Sequence, residues 1–135
     1  MSDGETVPSV RQQVDDALPE ILQKTDSELE DEVGRFVKAT LPNLASKGTR
    51  GRSLRDLGRR FVDFPEIRQV VCNAWQNGSI KDDLTPSNVA MLVGLLLTTL
   101  HIAAPPVIGL TFVAVLILKK SLRAYCQGYP AEPLT

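Results

Sequence analysis

From Leu84 to Leu118 the chain runs through 35 consecutive positions without an Asp, Glu, Lys or Arg. A helix drawn from such a run is apolar on every side, so it must be surrounded either by other helices of the same protein or by lipid. Thr85-Pro86 is a helix start, with threonine as N-cap and proline in the first turn. Pro105-Pro106 then divides the run into two arms. Val89 to Ala104 is 16 residues, about 24 Å of helix, and Val107 to Leu118 is 12 residues, about 18 Å. A hydrocarbon core of roughly 30 Å takes about 20 residues, so each arm is short for a crossing of its own. The expected forms in lipid are a re-entrant hairpin or one kinked span from Leu95 to Leu118. Lys119, Lys120 and Arg123 follow directly and resemble a cytoplasmic stop-transfer flank, with Tyr125 and Tyr129 as interface anchors.

Ahead of this run the pattern is amphipathic. Val10, Val14 and Leu18 recur at four-residue spacing on a helix that starts near Ser9 and is ended or kinked at Pro19. Thr25-x-x-Glu28 and Ser27-x-x-Glu30 are nested capping boxes for a second helix, with Leu29, Val33, Phe36, Val37 and Leu41 inward and Pro42 as its stop. Asn43 to Arg52 reads as a loop. Ser53-x-x-Asp56 caps a third helix bearing Leu54, Leu57, Phe61 and Val62. Pro65 opens a fourth with Ile67, Val70, Val71, Ala74 and Trp75 on one face, closed by Asn77-Gly78. No segment sustains a period of two. The reading is an all-α chain: a tail over 1–8, a charge-segregated amphipathic helical domain over 9–78, an apolar helical hairpin or kinked span with a basic end over 79–126, and a tail over 127–135.

The chain of 135 residues has a net charge of −1, which excludes a strongly basic nucleic-acid binder as a class. That near-zero value hides two opposed blocks: Met1 to Val33 carries ten acidic and two basic residues, and Gly34 to Arg60 carries eight basic and one acidic. Arg50, Arg52, Arg55, Arg59 and Arg60 form a candidate patch for anionic surfaces. It lacks interleaved aromatics for base stacking and any phosphate-loop motif, so nucleic acid is disfavoured. Anionic lipid gains weight because a basic patch and an apolar hairpin supply two anchoring signals together. Pairing of the arginines with the acidic first helices is the purely structural alternative.

The stretch Leu54-Arg55-Asp56-Leu57-Gly58-Arg59-Arg60-Phe61 resembles the BH3 pattern of the Bcl-2 family over eight residues, with Arg59 where that pattern has aspartate. The family's Asn-Trp-Gly-Arg signature is absent, and no family is assigned. The single histidine, His101, lies inside the apolar run without a neighbouring Cys, Asp or Glu. It reads as a hydrogen-bonded neutral side chain or as a polar switch in a membrane segment. Cys72 and Cys126 are too far apart in sequence for a CxxC motif and are expected as reduced thiols, with Cys126 open to palmitoylation at a membrane. No catalytic constellation, cofactor or metal site is expected.

The function expected from these residues is non-enzymatic: a membrane-associated adaptor, or an effector whose hairpin over 86–118 inserts into a bilayer, at the cytoplasmic face of a membrane. The alternative is a soluble cytoplasmic bundle with the hairpin as its core, acting as a protein–protein interaction module. Self-association is compatible with either.

Overall fold

The computed structural model describes residues 9–40, 53–100 and 107–127. Among these the chain is entirely helical: α1 (Val10–Ile21), α2 (Asp26–Thr40), α3 (Leu54–Val62), α4 (Pro65–Gln76), α5 (Pro86–Leu100), α6 (Val107–Lys119) and α7 (Leu122–Tyr125). Leu41, Pro42, Asn43 to Arg52, His101, Pro105-Pro106 and Tyr129 lie outside the described residues.

Local chemistry sets the helix ends. Ser9 Oγ accepts from Gln12 N at 3.0 Å. Thr25 and Glu28 form a reciprocal box, with Thr25 N donating to Glu28 Oε1 at 2.8 Å and Glu28 N to Thr25 Oγ1 at 3.2 Å, so two otherwise orphaned amides are satisfied at once. Ser53 Oγ accepts from Asp56 N at 3.1 Å. At the end of α4, Gly78 adopts φ 86°, and Ser79 N and Gly78 N donate to Ala74 O and Trp75 O. This paired closure needs a left-handed residue, which glycine supplies without steric cost. Pro19 does not end α1, which continues through it to Ile21. Its ring removes only one donor, and Leu18 and Ile21 on either side are both buried, so packing holds the last turn in place.

The core is centred on α6. Val113, Ala114, Val115 and Ile117 are fully buried and Leu116 nearly so, because α1, α2 and α5 all pack on this helix. Thr111, also fully buried, closes its hydroxyl on Val107 O at 2.6 Å, so its own donor is paired. α2 and α3 cross at very short range. A Cβ on Gly34 would fall 2.0 Å from Leu54 O, and one on Gly58 would fall 2.0 Å from Glu30 O. Only glycine permits this approach, and Phe36 and Phe61 meet edge-on beside it with ring centres 6.2 Å apart. Leu54, Val70 and Trp75, read as core, are half-buried.

One expectation about the cysteines is overturned. Cys72 and Cys126 are joined as a disulfide with their Cα atoms 5.7 Å apart, so neither is a reduced thiol and Cys126 is not open to palmitoylation. Sequence separation says nothing of spatial separation here, since the packing of α5 and α6 returns the chain to α4. Both cysteines are buried.

Candidate functional site

Two features stand out on the surface: the outer side of α5 and the basic end of the molecule where α6 gives way to α7.

α5 buries only one side, through Asn88, Val89, Leu92, Val93 and Leu96. Helical spacing puts Ala90, Met91, Gly94 and Thr98 on the other, flanked by half-buried Leu95 and Leu97. Met91 is 52 % exposed, and on α6 Ile108 is 43 % exposed. The helix carries no charge, and its two threonine hydroxyls are satisfied within it. Thr98 Oγ1 donates to Gly94 O at 3.1 Å, and Thr99 Oγ1 to Leu95 O at 2.8 Å. Such closure removes the desolvation cost that a free hydroxyl would bring to an apolar contact. The helix is fixed at its start by buried Asn88, whose Oδ1 accepts from Lys81 N and whose Nδ2 donates to Lys81 O and Asp83 O. Thr85, as expected from Thr85-Pro86, caps it by accepting from Asn88 N at 3.2 Å.

At the basic end, Lys119 turns back onto α2, 2.9 Å from Asp26. Lys120 is exposed, and among the described residues it makes no ion pair. The chain then reverses at Ser121, φ 72°, and α7 is secured from outside. Asp82 accepts from Leu122 N at 2.6 Å and Arg123 N at 3.3 Å. The Arg123 side chain is exposed. Tyr125 faces inward at 4 % exposure, donating to Val62 O at 2.6 Å. Burial holds its phenol above the ordinary range, Arg68 draws it down and Asp63 pushes it up. Arg68 stacks 5.3 Å above the ring and reaches Asp63 at 3.9 Å. Asp63, Arg68, Lys120, Ala124 and Tyr125 line a recess of about 370 Å³.

No protein family, characterised protein or solved structure matches this chain. Its surfaces are therefore interpreted on their own chemistry.

The described arginines of the candidate anionic-surface patch do not meet the acidic helices in the manner of the structural alternative. Arg59 and Arg60 share Asp56, at 3.1 and 3.6 Å, within α3 itself. Arg55 is exposed, and Arg50, Arg52 and His101 lie outside the described residues. Among the described residues there is no group of three metal-ligating side chains. Sequence reasoning missed Asp82, Arg68 and the disulfide, because each acts on a partner far along the chain. Asn88 could have been found, since Thr85-x-x-Asn88 occupies the positions of a helix cap.

Proposed function

We propose that this is a non-enzymatic membrane-associated protein that works by surface contact, as an adaptor or a bilayer-perturbing effector, and that the outer side of α5 is the contacting element. The observation that carries this reading is an uncharged helix face with exposed Met91 and with both threonine hydroxyls closed onto their own helix. Such a face enters an apolar phase without stranding a polar group. No helix among the described residues is long and apolar enough to cross a membrane, which favours lying on or dipping into one leaflet over spanning. Lys120 and Arg123 remain the candidate headgroup contacts, with Lys119 held on Asp26 beside them, and the arginines of α3 remain a separate candidate patch for anionic lipid. The basic flank Lys119, Lys120 and Arg123 supports a cytoplasmic face, whereas the paired cysteines support the opposite side. With Cys72 and Cys126 joined, the proposal moves to a membrane face in an oxidising compartment.

A second reading is favoured by the burial of α6 among α1, α2 and α5: a bundle whose apolar hairpin is its core and whose α5 face receives a protein partner. Flotation of the intact protein with phosphatidylcholine vesicles carrying anionic lipid separates the two. Under the first reading the protein floats, and Met91→Asp abolishes flotation while the circular dichroism spectrum is unchanged. A monodisperse protein left in the dense fraction, with and without anionic lipid, sinks the membrane reading and leaves the interaction module.

A further inference from the structure

We propose that the recess between the start of α4 and the α6–α7 turn is a binding site for a phosphate monoester. Its two cations come from distant parts of the chain, Arg68 on α4 and Lys120 after α6, and the structure brings both to one opening of about 370 Å³.

The wall is rigidly built. Tyr125 is held by its hydrogen bond to Val62 O, by the neighbouring Cys72–Cys126 bond, and by the Asp82 carboxylate at the start of α7. Its ring carries the Arg68 guanidinium at 5.3 Å, which holds the cation beside the recess. Asp63 lies 3.9 Å from Arg68, beyond a tight fork, so the guanidinium donors are not consumed by it. Lys120 adds a compact mobile charge without an ion-pair partner among the described residues.

A planar fork beside a flexible ammonium suits the several oxygens of a phosphate better than the two of a carboxylate. At neutral pH a phosphate monoester is close to a dianion, matching the two cations. The carbon part of the ester has the exposed Ala124 to lie against. Asp63 is the one opposing charge in the recess, and this gives the proposal a signature: neutralising it should tighten binding, whereas neutralising either cation should weaken it. The site does not depend on the α5 face.

The test uses the intact oxidised protein titrated with glycerol 3-phosphate by NMR, with glycerol as the uncharged control. The expected result is saturable shifts at Lys120, Ala124 and Tyr125 amides with the phosphate alone. Arg68→Gln and Lys120→Gln should each weaken binding by roughly tenfold, and Asp63→Asn should tighten it by about threefold. Lys120 is exposed, so Lys120→Gln tests the site even if Arg68→Gln loosens the packing on Tyr125. Phosphatidylcholine vesicles with and without phosphatidic acid separate the sources. Recruitment that needs phosphatidic acid, is not reproduced by phosphatidylserine at equal charge, and is lost in Lys120→Gln identifies a lipid headgroup. Binding of glycerol 3-phosphate with no recruitment identifies a soluble ester. Absence of saturable shifts, binding that survives both cation variants, or weaker binding in Asp63→Asn overturns the proposal.

Discussion

α5 and α6 come from the same uncharged run and differ in almost nothing that composition can register, yet the structure treats them differently. α6 is buried along most of its length, whereas α5, although it too packs on three helices, keeps an apolar side half in the open. Their glycines make the contrast concrete. A Cβ on Gly94 of α5 would meet nothing within 4 Å, whereas one on Gly109 of α6 would fall 2.5 Å from the Phe36 ring. An apolar helix without a polar face demands apolar surroundings but does not say who supplies them. In α6 the rest of the chain does. In α5 half of that demand is unmet among the described residues, and that half is what we assign to contact.

The strongest way to break this comparison is a buried charge. Leu116→Asp in α6 should abolish cooperative unfolding altogether, since stranding a carboxylate in that core costs more than about 4 kcal/mol. Met91→Asp in α5 should change stability by no more than about 0.5 kcal/mol. Urea denaturation of both variants checks this, and equal losses would erase the distinction between the helices.

Next in size is the disulfide, whose 54-residue span contains both helices. Replacing Cys72 and Cys126 by alanine should lower stability by about 4 kcal/mol on the loop-entropy relation. Hydrogen exchange should then rise in α5 before α6, because one side of α5 is already free. Faster exchange in α6 would contradict its place at the centre of the core.

The glycines sharpen the same contrast with opposite signs. Gly109→Ala should destabilise by roughly 1–3 kcal/mol through overpacking on Phe36, and Gly94→Ala should stabilise by about 0.5–1 kcal/mol through helix propensity. Thermal melts that move in the same direction for both would refute it.

The smallest effect tests the end of α6 rather than its middle. Burial raises the Tyr125 phenol above its ordinary value, so an unfolded chain releases that proton at a lower pH than the folded one. The stability Tyr125 contributes is intact below about pH 10 and declines as the pH rises beyond it. Tyr125→Phe should cost about 1 kcal/mol at neutral pH, from the lost bond to Val62 O, and flatten the alkaline decline. An unchanged alkaline profile would show that other groups dominate it.

Much of the helical layout was legible because its signals are local. Thr25-x-x-Glu28, Ser53-x-x-Asp56, Thr85-Pro86 and Asn77-Gly78 each act within a few residues, and the described ends fall where they point. Pro19 misled because a local preference competes with the buried contacts of Leu18 and Ile21, which the pattern around a single proline does not weigh. α7 gave almost no signal: four residues show no periodicity, and beside the local Ser121 cap on Ala124 N its first amides are held by Asp82, about forty positions earlier. The candidate site was half legible. Lys119, Lys120 and Arg123 were evident as a basic flank, but Lys119 is spent on Asp26, and Arg68, which shares the recess with Lys120, sits on α4.

The sequence by itself determined that the protein is helical, where most of its helices begin and end, and that one stretch must be shielded from water. These follow from periodicity, capping and the absence of charge, all short-range properties. Only the tertiary structure decided that α6 is shielded by protein while α5 is shielded on one side, that two distant cysteines are bonded, and that Arg68 and Lys120 share an opening. Those outcomes depend on how helices pack, and packing is fixed by shape at close approach, as where Gly34 and Gly58 let two backbones meet, rather than by any pattern within one helix.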